Sequence, residues 1–150
     1  MALADPRRKA NSDYVFASGT MNGNPVACAA GLVTLDELER EAVYPRIYDI
    51  SDRLRHGLES IGKRLGIPFQ VIGEGPVLQP VFTDAQISNY TDGLQADATA
   101  ARRFGLEMIR RGVFVTPGGK LYLSLVHTAD DVDQTLEAAE DSLQVVKDTL

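Results

Sequence analysis

A chain of 150 residues with 44% hydrophobic content carries enough apolar material for one packed domain without cross-links, and a single cysteine, Cys28, excludes an internal disulfide. A formal net charge of −6 argues against nucleic acid and anionic membranes as partners, because both reward a basic surface. No apolar run approaches a membrane span and Met1-Ala2-Leu3-Ala4 lacks the basic start of a signal peptide, so a protein of the reducing cytoplasm is expected.

Residues 1–13 read as a polar arm, and Tyr14 to Ala17 as a short strand. The stretch Ser18 to Pro25, SGTMNGNP, is then a glycine-hydroxyl turn running into a helix. Gly19 and Gly23 permit a tight backbone path, Thr20 offers a hydroxyl, and the helix start would bring unpaired N–H groups with a positive dipole end, a natural phosphate site. Asn24 followed by Pro25 also has the form of a plain helix cap, and Asn24 is read as a cap rather than a ligand. From Asn24 to about Glu41 the first helical turns are apolar on every side (Val26, Ala27, Cys28, Ala29, Ala30), which predicts packing on more than one face, with Cys28 a small buried hydrophobe.

The cleanest period runs over Tyr44 to Gly66, where, with Val43 just before, Ile47, Ile50, Leu54, Leu58, Ile61 and Leu65 recur every three or four residues, and it predicts a core-facing helix. Phe69–Ile72 and Val77–Phe82, split by Gly73-Glu74-Gly75-Pro76, predict an antiparallel hairpin. A loop over 84–95 follows, then a helix over 97–111 stopped by Gly112. Val113–Val115 and Leu121–Val126 flank Pro117-Gly118-Gly119 as a second hairpin, and Thr128 with Asp131 opens a final helix through a capping box. The expected fold class is therefore α/β: a small, mostly antiparallel sheet packed by helices and preceded by a long helix.

The turn and the residues after it, SGTMNGNPVACAAGLVTL, closely resemble the motif GT-x-x-GNP-x-A-x-A-A-G-L-x-T-L of class III pyridoxal-phosphate aminotransferases. A second stretch, Phe104 to Ala139, repeats that family's order of RGV, HT and D-x-D-x-T-L-x-A-A, so the resemblance covers nearly the whole chain from Tyr14 onward. It falls closest to the glutamate-1-semialdehyde 2,1-aminomutase branch. Two departures keep mutase and transaminase both open: Met21-Asn22 after the GT pair, and Gly119 to Leu123 in place of the aromatic and acidic residues usual before the last strand.

The resemblance implies a fold-type I small domain, with residues 1–23 an arm and phosphate-turn remnant of the large cofactor domain and 24–150 the linking helix plus small domain. It also implies pyridoxal 5′-phosphate as cofactor, a homodimer, and a small amino or carbonyl substrate. Gly19 and Thr20 are the implied cofactor-binding residues, meeting the phosphate held by the partner subunit. The family's Schiff-base lysine lies upstream of the GT turn, whereas Lys9, Lys63, Lys120 and Lys147 all read as surface lysines, so a fragment of such an enzyme is expected. Uncovered, the apolar stretch from Val26 to Leu35 would form an exposed patch that favours self-association.

No catalytic residue and no metal ligand is assigned. His56 falls among charges, and His127 lies between a strand and a helix cap with no matched nucleophile. The alternative to an enzyme part is a non-catalytic α/β domain that dimerises or binds a phosphate-bearing ligand.

Overall fold

A computed structural model of the chain describes Asp5, Arg7, Tyr14, Val15, Gly19 and residues 21–150. The expected strand at Tyr14–Ala17 lies mostly outside these residues, and Tyr14 and Val15 are irregular. The chain divides into two compact units, Met1–Arg40 and Glu41–Leu150.

In the first unit helix α1 spans Pro25–Leu38. Asn24 caps it and Pro25 supplies the first position, where a missing N–H costs nothing. No residue of α1 is buried, and Val26, Leu32, Val33 and Leu35 are each more than half exposed, so the packing on more than one face expected from its apolar first turns is absent among the described residues. Cys28 is exposed with them, a correction to its reading as a buried hydrophobe.

The second unit begins with α2, Val43–Leu65, whose buried residues Val43, Ile47, Leu54, Leu58 and Ile61 follow the helical period read from the sequence. Gly66 ends it in a left-handed conformation, φ 68°. The chain turns back so tightly that a β-carbon on Gly62 would stand 2.7 Å from the Phe69 ring. Strands β1 (Gln70–Glu74) and β2 (Val77–Val81) form the expected antiparallel hairpin, with Gly73 opposite Leu78 and Glu74 opposite Val77. Gly73 has φ 115°, and a β-carbon there would meet Val77 O at 2.1 Å, so this turn admits only glycine.

The loop over 84–95 contains a short helix, α3 (Tyr90–Gly93), closed by an Asn89–Asp92 capping box. Helix α4 spans Ala98–Arg110 and stops before Gly112, φ 84°. Strand β3 is only Leu121–Tyr122, and helix α5 spans Ala129–Lys147 from the expected Thr128–Asp131 capping box. The sheet is three-stranded and antiparallel in the order β1-β2-β3, confirming the expected class.

One expectation fails: Val113–Val115 is irregular and does not pair with Leu121–Val126. Val113 N instead bonds back to Met108 O (3.0 Å) at the end of α4, while Leu121 and Tyr122 pair with Leu78 and Val77 on the open edge of β2. A formed strand edge with unpaired groups outcompetes a new hairpin across a Pro-Gly-Gly turn.

The core lies where α2, α4 and α5 meet the sheet. Leu58, Leu78, Met108, Leu143 and Val146 are fully buried there. Phe69, Phe82 and Phe104 form an edge-packed trio with ring centroids 5.1 to 6.1 Å apart. Among the described residues no helix is long and apolar enough to cross a membrane.

Candidate functional site

The turn before α1 is built by two backbone hydrogen bonds, from Asn22 N to Gly19 O (3.0 Å) and from Asn24 N to Met21 O (3.1 Å). Gly19 has φ 148°, and a β-carbon on it would lie 2.9 Å from Asn22 Oδ1. The Asn22 side chain packs where a β-carbon would stand, so this backbone path admits only glycine. Gly23, φ 75°, completes the reversal into the helix. Thr20, the other expected phosphate contact, lies outside the described residues.

The helix start itself is closed. Asn24 Oδ1 accepts from Val26 N (2.9 Å) and Ala27 N (3.2 Å), Cys28 N bonds Asn24 O (2.9 Å), and Pro25 has no N–H. This corrects the expectation that α1 offers unpaired donors to an anion: its first turn is satisfied by its own cap. What remains for a phosphate is the glycine turn. A turn held tight by Asn22, with the Gly19 backbone bare of a side chain of its own, fits that end of a phosphate-bearing cofactor. It offers nothing to the other end, because Lys63, Lys120 and Lys147 are exposed and Lys9 lies outside the described residues.

In the second unit a recess of about 290 Å³ opens between α2, the 113–123 segment and the first turns of α5. Leu54, Val115, Leu121 and Val132 are among its apolar walls, with Lys120, Tyr122, His127 and Asp131 its ionisable groups. The backbone N–H of Ser124 donates to His127 Nδ1 at 2.9 Å, and Ser124 Oγ lies 3.1 Å from the same nitrogen. Ser124 O also lies 3.3 Å from Nδ1, so His127 closes a turn onto Ser124.

Asp131 Oδ2 accepts from Thr128 N and Thr128 Oγ1, both at 2.7 Å. Those two bonds, the backbone one foremost, hold the Asp131 carboxyl below the usual range. Sequence reasoning placed Lys120 on the open surface and missed that a recess lies beside it. A lone lysine after Pro-Gly-Gly and before an apolar run was the only local signal. His56 is exposed, and no group of three or more His, Cys, Asp or Glu residues among those described could hold a metal.

The family model for class III aminotransferases matches residues 7–143. The chain belongs to that family. Among its relatives is the glutamate-1-semialdehyde 2,1-aminomutase of Desulfitobacterium hafniense strain Y51, 36% identical over 137 residues covering 90% of this chain and 32% of that protein. An aminomutase of Thermus thermophilus is 36% identical over 132 residues, 86% of this chain and 31% of its own length. This class III chain thus spans about a third of the curated relatives it matches.

Solved structures agree on the fold. A β-phenylalanine aminotransferase from Variovorax paradoxus superposes with a TM-score of 0.79 at 24% identity, over 97% of this chain and 33% of that one. A glutamate-1-semialdehyde aminomutase from Pseudomonas aeruginosa PAO1 gives 0.76 at 23% identity, over 86% and 29%.

Proposed function

We propose that this chain is part of a cytoplasmic, pyridoxal-phosphate-dependent enzyme that moves an amino group between an amino donor and a carbonyl carbon. Gly19 and Thr20 grip the phosphate of the cofactor held by a partner subunit in a homodimer. The observation that carries the reading is the Gly19 turn, whose backbone is bare of a β-carbon because Asn22 packs where one would stand, next to a helix start whose N–H groups Asn24 already occupies. Binding a phosphate then falls to the turn backbone and the Thr20 hydroxyl.

Pyridoxal phosphate, when bound, supplies an electron sink for the bonds of the amino-bearing carbon. These residues hold and orient: a phosphate fixed at one end keeps the reacting end in register, and no proton moves through them. Residues 1–23 belong in this reading to the cofactor-binding part, and α1 links it to the small domain. The 36% identity to aminomutases supports transfer within glutamate 1-semialdehyde as the activity of the whole enzyme, with an amino-acid aminotransferase as the alternative.

A chimera in which this chain replaces the matched third of the Desulfitobacterium hafniense aminomutase tests the reading. The expected result is retained visible cofactor absorbance and formation of 5-aminolevulinate, with Thr20→Val weakening cofactor affinity about tenfold, as loss of one charge-assisted hydrogen bond would. A folded chimera whose cofactor affinity ignores Thr20→Val would sink the phosphate role. A folded, cofactor-loaded chimera that transaminates amino acids but makes no 5-aminolevulinate would move the assignment to the aminotransferase.

One observation favours a second reading, a non-catalytic domain that dimerises or binds a phosphate-bearing ligand: each described lysine is exposed, without the enclosure that tunes a catalytic amine. Failure of the folded chimera to take up cofactor at all would favour it.

A further inference from the structure

The turn before α1 contains the pair Asn22-Gly23. An asparagine Cγ can close a five-membered ring with the backbone nitrogen of the next residue. That closure needs a reachable amide, an N–H on the next residue, and no β-carbon crowding that nitrogen. Asn22 and Gly23 are both exposed, and beyond its chain neighbours nothing lies within 4 Å of where a β-carbon on Gly23 would stand. Among the described residues the Asn22 side chain makes no hydrogen bond and Gly23 N donates none. The two other described asparagines lack these conditions. Asn24 precedes Pro25, which has no N–H, and its Oδ1 is held by Val26 N and Ala27 N. Asn89 precedes Tyr90, and its amide is fixed at both ends, Oδ1 by Asp92 N (3.1 Å) and Nδ2 by Asp92 Oδ2 (2.9 Å).

We propose that Asn22 is a site of spontaneous deamidation, which turns this neutral turn anionic as the protein ages. Gly23 N gives its proton to a solvent base and attacks Asn22 Cγ. A C–N bond forms, the Cγ–Nδ2 bond breaks, and ammonia leaves with a solvent proton. Water then opens the succinimide at either carbonyl, leaving an aspartyl or an isoaspartyl residue at position 22. Nothing is oxidised or reduced; water enters, ammonia departs, and one carboxylate is gained. That carboxylate replaces the amide packed beside Gly19, and the isoaspartyl form also lengthens the backbone before Gly23 by a methylene. On the reading of this turn as a phosphate grip, the new charge repels the phosphate and weakens cofactor binding. This consequence rests on the cofactor reading, whereas the modification does not.

The test is incubation of the folded 150-residue chain in heavy-oxygen water at neutral and mildly alkaline pH, followed by peptide mass mapping, with a free peptide of residues 18–26 alongside. The expected result is uptake of heavy oxygen at position 22, in aspartyl and isoaspartyl forms, faster at the higher pH. Because nothing has to unfold first, the rate in the chain should lie within an order of magnitude of that in the peptide. Asn24 and Asn89 should stay intact over the same interval. Gly23→Ala should slow the conversion severalfold, and Asn22→Gln, whose longer side chain closes a less favourable ring, should abolish it. An Asn22 that stays intact while the peptide reacts would overturn the assignment, as would earlier loss at Asn24 or Asn89. In the aminomutase chimera, ageing should lower cofactor affinity about tenfold, as one added like charge near the surface would, and leave the Asn22→Gln variant steady. Equal affinity of aged and fresh chimeras would overturn the cofactor consequence, while Thr20→Val reports separately on the phosphate grip itself.

Discussion

Gly105 in α4 and Pro117 in the following turn meet backbone to backbone: a β-carbon on Gly105 would stand 2.5 Å from Pro117 Cα. That contact seats the 116–119 turn on the helix and so positions Val115 and Thr116 at the wall of the recess. Gly105→Ala should therefore destabilise the chain by about 1–3 kcal/mol, the usual cost of overpacking, despite the better helix propensity of alanine. Gly57→Ala is the comparison. Its β-carbon would come equally close, 2.5 Å, but to the terminal Cδ2 of Leu136, which can rotate away. Urea unfolding of both variants should show the larger loss at Gly105; equal losses would mean that the turn yields as readily as a leucine tip.

Glu107 is a buried carboxylate, 6% exposed, that accepts from Arg111 Nη1 at 2.7 Å and from Arg110 Nη1. The Arg111 hydrogen bond foremost, against the opposing effect of burial and with further help from Arg110, holds its carboxyl below the usual range. A folded pKa below the unfolded one means that the linked stability is present above the unfolded value and is lost as pH falls through the folded value. Glu107→Gln should flatten that acid limb of the stability profile while leaving its slope near neutrality unchanged. Urea midpoints measured from neutral pH down into the carboxylate range check this, and parallel curves for the two proteins would refute it.

Removing the Asn24 side chain opens the start of α1. Asn24→Ala should cost the helix about 1 kcal/mol, as for other N-cap losses, and speed amide exchange at Val26 and Ala27, whose N–H groups lose their acceptor. Exchange rates at these two amides, read against residues in the middle of α2, measure it. Unchanged rates would mean that another group takes over the cap.

The apolar side chains along α1 should drive association. Leu32→Lys with Val33→Glu, at positions 64% and 68% exposed, should shift the chain toward monomer without changing its thermal unfolding in the monomeric range. Sedimentation equilibrium across a concentration series decides the point, and identical mass distributions for both proteins would count against α1 as the associating surface.

The sequence by itself determined most of what depends on neighbours along the chain, the short α3 behind its Asn89–Asp92 cap being the local element it left as loop. The three-to-four-residue period of α2 chose Val43, Ile47, Ile50, Leu54, Leu58, Ile61 and Leu65 as its core face, and the structure buries all of these except Ile50 and Leu65, which are half-buried. Thr128 and Asp131 announced the start of α5, Gly112 the stop of α4, and the Gly-Glu-Gly-Pro stretch the first hairpin. The run from Gly19 through Leu35 carried the family signal. Its Asn24-Pro25 pair carried the cap, because a cap reaches only three residues ahead.

Only the tertiary structure decided what depends on competition between distant groups. Leu121 and Tyr122 left the expected partner Val113–Val115 for β2 because the β2 edge, more than forty residues earlier, offered hydrogen bonds that a local hairpin could not match. Glu107 reads as an ordinary helix-face glutamate until packing buries it. Lys120 is exposed, as its sequence context implies, but the recess that α2 and α5 close beside it has no further local signal. The spacing of residues fixes which face is apolar; which edge, charge or cavity that face then meets is set by what else the chain brings there.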